Sequence, residues 1–195
     1  MALETRFLIM KNEAKKGWLQ RLASPYPMNP ENREDCVRGL RQAIRDDGGA
    51  QGTLLEALMW VRVGQIDQAH GIVESATRGI EAYIHGVVHR MEGDYWNAKY
   101  WFRQVRAPQL VESLNRHILR GAPKGYLYPW GTAVFDPIAF VDACESTACE
   151  SKAPKIAGSS SFLNSAAGER PCSETLRGLA LAEWEGLLAQ VEIAE

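Results

Sequence analysis

The sequence predicts an all-α fold of stacked helical hairpins with a capping C-terminal helix, and three observations predict it. Apolar residues recur at helical spacing along most of the chain, most clearly at Leu176, Leu179, Ala180, Trp184, Leu187, Leu188 and Val191. Glycine interrupts these runs at Gly64-Gln65-Ile66-Asp67 and at Gly93-Asp94, so that two pairs of helices fold back as hairpins. The spacing Gly64-x4-Ala69 returns as Gly93-x4-Ala98, an internal period of 29 residues, and repeats of that length build helical pairs that bury a face against the next pair. No strand signal is comparable, since the short run 131–135 would leave an isolated strand with unpaired backbone groups.

Taken in order, residues 4–22 carry a stripe of Phe7, Met10, Ala14, Trp18 and Leu22, and the prolines Pro25, Pro27 and Pro30 end it. Asn29 caps and Pro30 opens a helix to about Asp46, with Cys36, Val37, Leu40, Ala43 and Ile44 inward and Arg33, Arg41 and Arg45 on a solvated face. The run from Thr53 to Val63 is apolar nearly all round, which predicts burial on more than one side. Asp67 caps a helix to about Thr77, Ile80 to Glu92 presents Ile80, Ile84, Val87, Val88 and Met91, and Tyr95 to Arg106 follows. Pro108 opens a segment to about Arg120 with Leu110, Val111, Leu114, Ile118 and Leu119 buried. Residues 121–135 combine glycine and proline with Tyr126, Tyr128, Trp130 and Phe135, the composition of an ordered aromatic loop. Asp136-Pro137 starts a helix to about Glu150 whose inner face is Phe140, Val141 and Cys144. The Gly-, Ser- and Ala-rich segment 153–170 is expected to be flexible, and Ser173 starts the capping helix 173–195. One helical domain over residues 1–195 with a repeat-like core at 53–106 is the expected organisation.

The second hairpin resembles the tetratricopeptide repeat. Gly86, Gly93-Asp94-Tyr95, Ala98, Phe102 and Val105 fall at that family's spacings, and Ala57, Trp60, Gly64, Ala69 and Ala76 form a weaker first copy. The period is shorter than the family's, and Leu110 stands where the family has its terminal proline. The string from His85 to Arg103, H-x3-H-R-x-E-G-D-x2-N-A-x-Y-W-F-R, is also similar to a segment of uncharacterised bacterial helical proteins. These resemblances imply a tetratricopeptide-like helical-repeat fold and a shared pocket, and they carry no known reaction.

Composition narrows the function classes. A net charge of −2 and a pI near 6.1 give no global attraction for nucleic acid or an anionic membrane surface, so neither is an expected partner. The N-terminal apolar run Phe7 to Met10 is too short for a signal-peptide core or a membrane span, which makes the expected location cytoplasmic. Cys144 and Cys149 lack zinc-knuckle spacing and read, with Cys36 and Cys172, as thiols. Between Lys99 and Lys124 six basic residues face Glu112 alone, either as an anion-attracting wall or as the complement of the acidic 136–150 segment and last helix. Dinucleotide, phosphate-loop and nucleophile-elbow patterns are absent.

The chemistry-bearing stretch is 81–105. Glu81, His85 and His89 follow one another at four-residue steps and Glu92 lies three further on, so their side chains share a helix face. Imidazoles one turn apart bind a divalent metal such as zinc, with Glu92, His70 or His117 completing the shell of a hydrolase or lyase. The glutamate of a zinc-protease motif is missing after His85. Alternatively the pair is structural, hydrogen-bonded to Asn97, Tyr100 or a backbone carbonyl, or it lines a polar pocket. Tyr95, Trp96, Tyr100, Trp101 and Phe102 exceed the needs of one core contact, so that they either are sandwiched between two helical layers or in part line a groove or interface, and Arg103 is placed to stack on indole or clamp a carboxylate. The leading expectation is a binding or scaffold protein whose polar-aromatic groove (His85, His89, Asn97, Tyr100, Trp101, Arg103) takes a protein segment or a small polar or anionic ligand without a cofactor. The alternatives are the metal-dependent enzyme and a homodimer joined through the aromatics.

Overall fold

The computed structural model describes residues 30–47, 53–121, 125–152 and 173–194. The expected helix at 4–22, the proline turn after it, the segment 153–170 and Cys172 lie outside the described residues. Within them the chain is all-helical: α1 (Pro30–Asp47), α2 (Leu54–Val63), α3 (Ile66–Val73), α4 (Gly79–Glu92), α5 (Tyr95–Gln104), α6 (Pro108–Ile118) with a 3-10 turn Leu119–Gly121, α7 (Pro137–Lys152) and α8 (Ser173–Ala194). Among the described residues there is no strand, and no helix is long and apolar enough to cross a membrane.

The two hairpins turn by the same device. At the end of α2, Gly64 takes φ 73°, and the Gly64 and Gln65 amides donate to Val61 O and Trp60 O at 3.1 and 2.9 Å. At the end of α4, Gly93 takes φ 80°, and the Gly93 and Asp94 amides donate to Arg90 O and His89 O at 3.2 and 2.9 Å. Both positions lie in the left-handed region where a Cβ is disfavoured, so glycine lets each helix satisfy its last carbonyls while the chain reverses. Thr53 Oγ1 caps the start of α2, and Asp94 Oδ1 caps that of α5 through the Asn97 amide at 3.2 Å. Ala69 and Ala98 are both fully buried at the crossings.

α4 is the centre of the molecule. It packs on α5, α3 and α2, and every residue from Ala82 to Arg90 is buried. At Gly86 an added Cβ would meet the Phe102 ring at 3.0–3.1 Å, so α5 rests directly on the α4 backbone. α2 is buried from Ala57 through Val63, as its all-round apolar pattern requires.

α8 closes the stack against α2, α6 and α7. Trp184 is buried and its Nε1 donates to Leu58 O at 2.7 Å, fixing α8 to α2; deleting such an indole costs about 3–5 kcal/mol. Glu183, 1% exposed, pairs bidentately with Arg90 and accepts from Tyr83 Oη at 2.7 Å. The Arg90 guanidinium also lies 4.2 Å from the centre of the Phe140 ring. Burial works against the Arg90 charge, but Glu183 outweighs it and holds the guanidinium above its ordinary value. Burial, reinforced by Glu183, raises the Tyr83 phenol.

The loop between α6 and α7 is held by Asn115, whose Oδ1 accepts from Tyr128 Oη at 2.9 Å and from the Phe135 amide at 3.0 Å. Tyr128 stacks on Trp130, and both meet Phe135, which packs on Phe140 of α7. Two helices end earlier than the periodicity suggests. α3 stops at Val73, where the Ala76 amide turns back to Val73 O, and α5 stops at Gln104, ahead of Arg106 at φ 44°.

Candidate metal centre

α3 and α4 bring three imidazoles together. His85 and His89 stand one turn apart on α4, and the short connection 74–78 folds α4 back on α3 so that His70 lies against both. One ligand atom from each lies within 4.8 Å of the others, and His70 Nε2 is 3.0 Å from His85 Nε2. Ligands on a tetrahedral zinc ion with Zn–N bonds of about 2.05 Å stand about 3.3 Å apart, so the cluster needs only small side-chain adjustments to share one ion. The His85 and His89 rings are nearly parallel with centroids 4.9 Å apart, and His70 is edge-on to both at 4.9 and 4.8 Å.

Glu92 lies beside the histidines on their Nδ1 side. Its Oε1 is 3.1 Å from His70 Nδ1 and its Oε2 is 3.0 Å from His89 Nδ1. The first contact is a hydrogen bond; the second has ion-pair distance without hydrogen-bond direction, which leaves His89 Nδ1 without a hydrogen-bond partner among the described residues. The hydrogen bond to Glu92 on the far ring nitrogen fixes the tautomer of His70 that leaves its Nε2 as a ligand.

Burial sets the protonation of His85. The ring is 3% exposed, and its pKa is lowered to about 4 by burial and then by the charges of His89 and His70, against a weaker opposite pull from the Val73 carbonyl. His85 is therefore neutral at pH 7 and has no proton to lose before binding a cation. Trp101 stacks on it with centroids 4.0 Å apart, while the His70 and Glu92 side chains are 32% and 29% exposed. Solvent reaches the centre on the His70–Glu92 side.

The remaining sequence-selected residues divide. Asn97 bonds Asp94 (Nδ2 to Oδ2, 2.6 Å) rather than a histidine, completing the α5 cap and holding the Asp94 carboxyl below its ordinary value. Tyr100 meets Trp101 edge-on at 5.4 Å and stacks on Trp96 at 6.3 Å, forming an exposed aromatic ridge beside the centre. Arg103 is exposed, Glu81 is exposed at the start of α4, and His117 sits on α6 against Glu185 and Gly186 of α8. Of the two candidate third histidines, the fold brings His70 to the pair. Lys99 bonds Asp142 and Glu145 of α7 at 2.9 and 2.8 Å, so this member of the basic run complements the acidic segment. No family model, curated protein or solved structure matches the chain.

The network that sequence reasoning missed is Tyr83–Arg90–Glu183. The signal was present: Arg90 falls on the α4 stripe beside Val87 and Met91, and Glu183 falls between Leu179 and Leu187. A charge inside an apolar stripe must find a buried partner.

Proposed function

We propose that the protein binds a divalent transition metal, zinc by ligand type, through His70, His85 and His89, and that it is a metal-dependent hydrolase or lyase on a tetratricopeptide-like scaffold. The observation that carries this reading is the convergence of three imidazoles with Glu92 on the far nitrogens of two of them. Three protein ligands leave a fourth position on the metal, where it would polarise a substrate oxygen or activate water. The scaffold reading is supported by the shared turn geometry of the two hairpins and the buried alanines at equivalent crossings.

Elemental analysis of protein purified without an affinity tag tests the centre. About one equivalent of zinc is expected after exposure to zinc and dialysis, falling below a tenth in His85→Ala and in His70→Ala. Equal metal content in wild type and both variants overturns the reading. Cobalt substitution tests the fourth position: the visible bands should shift when azide is added, and unchanged bands would leave a closed structural site.

A second reading, a binding face for a protein segment, a small polar or anionic ligand or a second copy of the chain, is favoured by Trp96 at 74% and Tyr100 at 45% exposure. Light scattering over a concentration series tests the second copy. Self-association lost in the Trp96→Ala/Tyr100→Ala variant with metal content unchanged would support it, and a monomer at every concentration would remove it.

A further inference from the structure

On the other side of α4 from the histidines, α2, α4, α7 and α8 line a half-open pocket of about 180 Å³. Its walls are mainly apolar, with Val87 and Met91 of α4, Phe140 of α7, and Leu181, Trp184 and Leu187 of α8. An apolar cavity of about 150 Å³ accommodates a benzene ring, so this one has room for a small ring or a short hydrocarbon chain.

The charges in the lining are unequal. Arg90 and Glu183 are committed to each other, whereas Arg177 adds a guanidinium to the lining. Arg62 lies over the Trp184 ring at 5.7 Å. Arg177 is exposed near the start of α8 and marks the mouth. From there Ala180, Leu181 and Trp184 continue along the same face of α8, and the seven steps from Arg177 to Trp184 span about 10 Å at 1.5 Å per residue. The pocket thus joins an apolar floor to one exposed guanidinium, whose fork fits a carboxylate bidentately.

We propose that this pocket binds a small amphipathic anion, a medium-chain or aryl carboxylate, with its apolar body against Trp184 and Phe140 and its carboxylate at Arg177. The site shares no residue with the histidine centre, so it stands whether or not that centre holds metal.

Isothermal titration of the full chain with sodium octanoate, octanol and octylammonium tests the proposal. Octanoate should bind at one site, with octylammonium at least tenfold weaker and octanol between them. Arg177→Ala should weaken octanoate by roughly tenfold, as expected for loss of one charge-assisted contact, and leave the unfolding temperature unchanged because the side chain is exposed. Ala180→Trp, which fills the cavity, should abolish binding of all three probes. Absence of octanoate binding at millimolar concentration overturns the proposal, as does equal binding of octanoate and octylammonium. Retention of wild-type octanoate affinity in Arg177→Ala overturns the assignment even if Ala180→Trp fails to fold.

Discussion

Replacing Arg90 with Met should be among the most destabilising single changes in the chain, and its cost follows from what it leaves behind. Glu183 is 1% exposed and takes its countercharge from Arg90 through two hydrogen bonds; without them it retains, among the described residues, the 2.7 Å bond from Tyr83. A buried carboxylate stripped of its partner costs about 3–5 kcal/mol. For a domain of this size each kcal/mol lowers the midpoint by about 2–4 °C, so a drop of roughly 10 °C is expected. Adding Glu183→Gln to Arg90→Met removes the stranded charge and keeps an acceptor for Tyr83, and it should recover about 2 kcal/mol or more. Urea unfolding followed by far-UV circular dichroism reads all three proteins. If Arg90→Met costs less than about 1 kcal/mol, or if Glu183→Gln does not rescue it, a stranded buried charge is not the source of the loss.

Two further outcomes follow from the histidine cluster. Glu92→Gln should weaken zinc binding by about 10–100-fold in a chelator competition, since a carboxylate that orients ligands is replaced by a neutral amide; unchanged affinity would deny Glu92 that role. Because the pKa of His85 is lowered in the fold, the stability owed to its neutral form is fully present above about pH 6.5 and is lost as pH falls through about 4. His70, His89 and Glu92 lie beside it, so metal-free wild type should be compared with His85→Phe. The wild type should lose more stability than the variant between pH 6.5 and 4, and parallel curves would place the acid sensitivity elsewhere.

The fold was legible where local chemistry and tertiary contact agree. Gly93-Asp94 announces a turn because glycine supplies the positive φ and aspartate the cap, and Trp184 lies on a stripe that needs a covering surface. The all-α class follows from such features. The site was legible only in part. The spacing of His85 and His89 comes from one helix and can be read directly, whereas the approach of His70 depends on how tightly α3 folds back, which no periodicity encodes. The number of donors was readable but their direction was not: Glu92 and Asn97 are both near the histidines in sequence, yet one faces their rings and the other its own helix cap. Arg90 and Glu183 each interrupt an apolar stripe, which marks both as buried, but they are 93 residues apart and no local pattern says that they pair with each other.

The three imidazoles stand on elements of unequal permanence. His85 and His89 belong to a segment of α4 buried from Ala82 to Arg90, whereas His70 stands on the eight-residue α3 and is part-exposed. Local opening that releases α3 should therefore be far more frequent than any opening of α4. A bound cation would then escape by first losing His70 while the α4 pair still holds it, so the residence time of the metal would be set by the fraying of one short helix. Amide exchange that is faster in α3 than in α4, and slowed in α3 by added zinc, is the kinetic signature of that order.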